Sequence, residues 1–103
     1  MNATIIETVL FKLNDDVNDQ AFSEAIKQSN KFVTSCKGFV ARRLSCNNDG
    51  QWIEHIEWET MSNAKAAASK IGSDRNTQAF IGAINGDSVQ MFHTQIKTAL
   101  DAN

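Results

Sequence analysis

The stretch from Gly38 to Glu59, GFVARRLSCNNDGQWIEHIEWE, decides much of how this chain folds. Two runs rich in β-branched, aromatic and alternating charged residues flank Asp49-Gly50, the pattern of a β-hairpin. A two-residue type I′ turn, with positive φ at both Asp49 and Gly50, would pair Leu44 with His55, Arg42 with Glu57 and Ala41 with Trp58. Side chains alternate across a strand. One face of the hairpin is then expected to hold Phe39, Ala41, Arg43, Ser45, Trp52, Glu54, Ile56 and Trp58. The other is expected to hold Val40, Arg42, Leu44, Cys46, Ile53, His55, Glu57 and Glu59.

The rest of the chain supplies elements to cover this hairpin. Thr4 to Leu13 reads as a strand, with Ile5, Ile6, Val9, Leu10, Phe11 and Leu13 apolar. Asn18 is a good helix N-cap, with Val17 and Phe22 placed as a hydrophobic staple. Ala21, Phe22, Ala25, Ile26, Ser29, Phe32 and Val33 then recur at helical spacing, and this helix is expected to end between Thr34 and Gly38. After the hairpin, Ser62 can cap a second helix. Its stripe is mostly alanine (Ala64, Ala67, Ala68, Ile71), with Gly72 suited to the C′ position. A short third helix is expected from Asp74 or Arg75 to Ile84, burying Phe80, Ile81 and Ile84. Asn85-Gly86 turns the chain into a last strand over Ser88 to Lys97, with a frayed tail from Thr98 to Asn103.

Composition narrows the class. The chain has 103 residues, 42% of them hydrophobic, enough for a core, and reads as one domain over 1–103. With 12 acidic and 10 basic residues, and Arg42-Arg43 the sole adjacent basic pair, a nucleic-acid surface is not indicated. The opening MNATIIETVLFKLNDD lacks the features of a signal peptide, and no apolar run approaches the ~20 residues that span a bilayer. The two cysteines, Cys36 and Cys46, form no CxxC, and Cys46 lacks a histidine partner, which points away from a nucleophile. They read as free thiols of a cytoplasmic protein. No glycine-rich phosphate loop occurs, so no nucleotide cofactor is implied.

The order strand, helix, strand, strand, helices, strand is that of the ferredoxin-like βαββαβ unit, an α+β fold. Right-handed crossovers place its helices on one face of a four-stranded antiparallel sheet. Both faces of that sheet carry large apolar side chains: Ile5-Ile6, Val9-Leu10-Phe11, Phe39-Val40, Trp52-Ile53 and Met91-Phe92. A sheet with one wet face would alternate more cleanly. The expected cover for the second face is another copy of the chain, in a C₂ homodimer.

These pieces resemble the dimeric α/β-barrel superfamily, in particular its antibiotic-biosynthesis-monooxygenase-like branch. The resemblance rests on ETVLFKLND followed by a helix, CKGFVARRL, DGQWIEHIEWET leading into SNAKAAA, and SVQMFHTQI. VLFKLNDDVNDQAF is equally similar to the stress-responsive barrel branch. The resemblance implies two protomers pressing their sheets into a barrel, with a ligand pocket in each between sheet and helices. It further implies cofactor-independent oxygenation of electron-rich aromatics such as anthrones and quinols. Relatives that degrade haem use a first-strand asparagine, a tryptophan and a histidine. Here the first strand reads Thr8-Val9-Leu10-Phe11 at its centre, which argues against haem.

The residues that could carry chemistry each have a plainer reading. Trp58, which matches a tryptophan of the branch, and Trp52 can wall an aromatic ligand or fill the core. His93 can act as a base toward a phenol or quinol, or sit at the core edge satisfied by a backbone carbonyl. Arg43 can steady an oxyanion or pair with Glu54 at the pocket mouth. His55, Glu57 and Glu59 alternate along one strand about 6.6 Å apart, too linear to converge on a metal. With Arg42 they read as a polar patch at the dimer contact, and no metal is expected. The chain is thus read as a cofactor-independent monooxygenase for a small aromatic, or as a non-catalytic dimeric ligand-binding or stress-associated module.

Overall fold

The structure, a computed structural model, describes residues 4–102. Residues 1–3 of the opening segment and Asn103, the last residue of the expected tail, lie outside the described residues. Four strands, β1 (Ile5–Phe11), β2 (Phe39–Cys46), β3 (Trp52–Trp58) and β4 (Gln90–Gln95), form one antiparallel sheet in the order β2-β3-β1-β4. Helices α1 (Asp19–Ser35), α2 (Met61–Ile71) and α3 (Gln78–Ala83) complete the ferredoxin-like βαββαβ order.

Local chemistry sets the element ends. Asn18 Oδ1 accepts from the Ala21 amide at 2.8 Å and starts α1. Thr60, not Ser62, caps α2: its Oγ1 accepts from the Asn63 amide at 3.0 Å. Gly72 ends α2 in a right-handed conformation, so no left-handed glycine closes that helix. Asp74 caps one 3₁₀ turn, Arg75–Thr77, which runs into α3. There Phe80 is buried, Ile84 is partly buried, and Ile81 is 39% exposed, contrary to its expected burial. β1 and β4 are both shorter than the sequence suggests, although Leu13 still bridges to Ile84.

The hairpin departs from expectation in a way that reassigns one strand. Among the described residues no non-glycine has positive φ; Gly50 does, at 80°. Asn47 Oδ1 instead accepts from the amides of Asp49 and Gln51 at 2.9 and 3.0 Å, and Gly50 donates to the Asn47 carbonyl at 3.2 Å. The loop is therefore three residues long, with one left-handed glycine at its end. Register moves by one: Leu44 faces Glu54, Arg42 faces Ile56 and Arg43 faces His55. A bulge between Phe39 and Ala41 then places Phe39, rather than the expected Ala41, opposite Trp58.

The helix-facing side of β3 is as expected, with Trp52, Glu54, Ile56 and Trp58. On β2 the helix side carries Phe39, Arg42 and Leu44, the partners or near partners of those β3 residues. Arg43 and Ser45 go to the opposite face, with Ile53, His55 and Glu57.

The core lies between sheet and helices in two parts. Phe11, Phe22 and Phe80 pack together, joined by Trp52, whose ring centroid lies 4.9 Å from that of Phe22. Ile5, Ile56, Trp58, Ala64 and Ala67 form the second part, in which the small alanine face lets α2 approach the sheet closely. On the other side of the sheet, Ile53 and Phe92 are 37% and 49% exposed.

Candidate functional site

Direct cross-strand neighbours share a face, so the strand register builds a polar row across an otherwise apolar surface. His93 of β4 stands opposite Glu7 of β1, and Glu7 stands opposite Ile56 of β3. Glu54 and Trp58 flank Ile56 on the same strand face and are diagonal to Glu7. Arg42 stands opposite Ile56 from the β2 side and is diagonal to Glu54.

Arg42 is held on every side. Its Nε donates to Glu54 Oε2 at 2.7 Å, and one terminal nitrogen lies 2.7 Å from the same oxygen in an ion pair. The other terminal nitrogen donates to Ser29 Oγ at 2.7 Å and Asn30 Oδ1 at 2.8 Å, and the guanidinium lies 4.9 Å from the centroid of the Phe80 ring. The side chains of Arg42 and Glu54 are only 5% and 7% exposed. Burial pushes the Glu54 carboxyl above its ordinary range, the Arg42 guanidinium pulls it back, and the Glu7 carboxylate adds to the rise. At the other end of the row, His93 Nε2 lies 3.3 Å from Glu7 Oε1.

Beside this row is a cavity of about 280 Å³ between the sheet, α2 and α3. Its walls are aliphatic and aromatic, including Val33, Ile56, Ala67, Ile71 and Phe80. Its polar groups are Glu7, Glu54 and Trp58. Trp58 is 2% exposed, and its Nε1 is the one buried side-chain nitrogen or oxygen among the described residues that has no hydrogen-bond partner. Burying an unpaired N–H costs about 1–3 kcal/mol. A wider groove of about 500 Å³ runs between the end of α1 and α2, past Cys36, Lys37, Lys70 and Asp74. Burial pushes the Cys36 thiol up, more than Lys70 draws it down, which disfavours a reactive thiolate there.

The sequence-derived candidates separate on this map. Trp58 and Glu54 line the cavity. Trp52 does not; it is packed on Phe11 and Phe22 in the core. His93 shares the cavity face but stands behind Glu7 rather than in the lining. Arg43 is on the opposite side of the sheet, exposed and facing His55, so it reaches neither the cavity nor Glu54. The expected Arg43–Glu54 pair is in fact Arg42–Glu54, and the patch of the outer face keeps His55 and Glu57 without Arg42. Among the described residues no cluster of three metal-ligating side chains occurs.

Two members of the row, Glu7 and Arg42, are not among the sequence-derived candidates. Glu7 carries a readable signal: it is a lone carboxylate on the β1 face shared by Ile5, Val9 and Phe11. Arg42 carries none, because the length of the hairpin loop, not the alternation, turns it inward.

An α+β sheet with a lined apolar cavity under its helices is the class defined by this geometry. No protein-family model matches the sequence, and no curated protein matches it. Solved structures are similar over nearly the whole chain. The cofactor-independent oxygenase SnoaB from Streptomyces nogalater, in its N63A form, superposes with TM-score 0.76 at 13% identity, over 96% of this chain and 98% of that one. A monooxygenase from the gene ActVA-Orf6 of Streptomyces coelicolor, in complex with nanaomycin D, gives TM-score 0.68 at 9% identity over 98% and 94%. A dimeric ferredoxin-like protein of unknown function from Thermobifida fusca gives 0.71 at 9% over 93% of each chain. At these identities the likeness establishes the fold.

Proposed function

We propose that the chain binds a small aromatic molecule, a quinol or anthrone, in the cavity beneath α2 and α3 and oxygenates it without a metal or organic cofactor. The observation that carries this reading is the apolar cavity walled by Ile56, Trp58, Ile71 and Phe80, with Glu7 and Glu54 as its ionisable groups. A ligand carbonyl or phenol oxygen would accept from the unpartnered Trp58 N–H, while the ring fills the space between the apolar walls. The reaction needs the ligand to lose a proton. Its anion then passes electrons to dioxygen, which ends as one oxygen in the product and one in water. The fold shared with SnoaB and the ActVA-Orf6 monooxygenase supports the reading.

The working unit proposed is a cytoplasmic homodimer of single-domain protomers, joined through the sheet face that carries Ile53 and Phe92. Among the described residues no helix is long and apolar enough to cross a membrane. The alternative is a binding module without chemistry. It is favoured by one observation: both carboxylates of the cavity are already engaged, Glu54 by Arg42 and Glu7 by His93. Titrating the protein with anthrone and simple quinols, followed by tryptophan fluorescence and by oxygen uptake, tests both readings. Quenching with oxygen uptake is expected. Quenching without uptake supports the binding module, and neither signal contradicts the assignment of the cavity.

A further inference from the structure

A proton taken from a ligand inside an apolar chamber must be returned to water before the next turnover. The chamber offers two carboxylates for taking it. Glu54 Oε2 already accepts from Arg42 Nε and lies in an ion pair with a second guanidinium nitrogen, which occupies that oxygen and fixes the carboxylate as the counter-charge of Arg42. The hydrogen-bond partner of Glu7 among the described side chains is an imidazole, itself capable of taking a proton. Exposure rises along the same line: the Glu7 side chain is 12% exposed and that of His93 is 24%. β4 is an edge strand, so the line runs from the chamber to the rim of the sheet.

We propose that Glu7 takes a proton from the cavity ligand and that His93 carries that proton to solvent at the edge of β4. This deepens the reading of the cavity as a site for an aromatic with an acidic C–H or O–H, and rests on it. In the first step the ligand C–H or O–H bond breaks, its electron pair stays on the ligand, and an O–H bond forms on Glu7. In the second, the His93 ring, shifted to its Nδ1–H tautomer by exchange with water, takes that proton on Nε2, and the imidazolium gives its Nδ1 proton to water, leaving an Nε2–H that donates to the restored Glu7 carboxylate. Glu7 is then the catalytic residue, and His93 acts through it. Glu54 is the other ionisable side chain facing the chamber, and its charge is balanced by Arg42.

The experiment follows exchange of the methylene protons of anthrone for deuterium by proton NMR, under argon so that oxygenation plays no part. Binding is measured in parallel by tryptophan fluorescence. The expected result is fast exchange with the unaltered protein and at least about 100-fold slower exchange with Glu7→Gln at unchanged anthrone affinity. His93→Ala is expected to exchange slowly and to recover when free imidazole is added, a response a merely structural histidine would not give. The imidazole arm decides alone if Glu7→Gln does not fold. Binding without exchange, exchange undiminished in Glu7→Gln, or no imidazole rescue of His93→Ala overturns the proposal and leaves the binding site standing. Absence of anthrone binding overturns the reading of the cavity itself, and this proposal with it.

Discussion

Arg42 Nε donates to Glu54 Oε2 at 2.7 Å, a terminal nitrogen lies 2.7 Å from the same oxygen, and the pair sits almost out of reach of solvent between α1, the sheet and Phe80. An ion pair in such a place gains little net stability while intact, because desolvation offsets the attraction. Its effect appears when one partner is removed.

Arg42→Met is expected to cost about 3–5 kcal/mol at neutral pH, since Glu54 is left as an uncompensated buried charge. The cost should shrink in acid. The folded-state value of Glu54 lies above its ordinary one, so the stability it contributes is full below the ordinary glutamate range and is lost as pH rises through the raised value. Without Arg42 that loss is larger. Urea unfolding at neutral pH and near pH ~4 measures it. The double variant Arg42→Met/Glu54→Leu should recover most of the loss. Equal costs at both pH values would show that the charge of Glu54 is not the cause.

Gly38 and Gly50 both have positive φ, 84° and 80°, but differ in their surroundings. A Cβ on Gly50 would meet nothing within 4 Å, whereas one on Gly38 would run into the side chain of Asn63, next to the α2 cap. Gly50→Ala should cost about 1–2 kcal/mol from backbone strain alone. Gly38→Ala should cost more, because the Asn63 side chain, which accepts from Thr60 Oγ1, must also move. Thermal unfolding of the two variants ranks them; a greater loss at Gly50 would contradict this account of the hairpin entry.

The outer sheet face presents Ile53 and Phe92 beside the polar His55 and Glu57. If this face joins two protomers, a lysine at Ile53 or Phe92 places an unpaired charge in a desolvated contact. Sedimentation equilibrium is expected to find a dimer for the unaltered chain and monomers for Ile53→Lys and Phe92→Lys. Monomers throughout would remove the proposed assembly.

How far the sequence reaches can be judged on particular residues. The order of elements, the Asn18 cap and the inward face of β3 follow from composition and period, because burial dictates them directly. The inward face of β2 does not. It depends on whether the loop after Cys46 holds two residues or three, and on a bulge at Phe39/Ala41 that alternation cannot signal. One step of register exchanged Arg42 for Arg43, and with it the identity of the partner of Glu54. Trp52 and Trp58 share a strand face and look equivalent in sequence. Only the packing of Phe11 and Phe22 separates the core tryptophan from the cavity tryptophan.

Trp58 also allows packing and polarity to be told apart. Trp58→Ala should cost about 3–5 kcal/mol through loss of a buried aromatic. Trp58→Phe keeps most of the ring and removes an N–H that has no partner in the unliganded protein. It should therefore leave stability within about 1.5 kcal/mol while weakening binding of a carbonyl-bearing ligand about five- to tenfold. Equilibrium unfolding and calorimetric titration check the two halves.

The indole N–H resonances of the two tryptophans test the central claim most directly. Adding anthrone should shift the Trp58 resonance downfield as its N–H gains an acceptor and leave that of Trp52, outside the cavity, nearly unmoved. An unmoved Trp58 resonance at concentrations where the ligand demonstrably binds would contradict the account, because the ligand would then occupy some other part of the molecule.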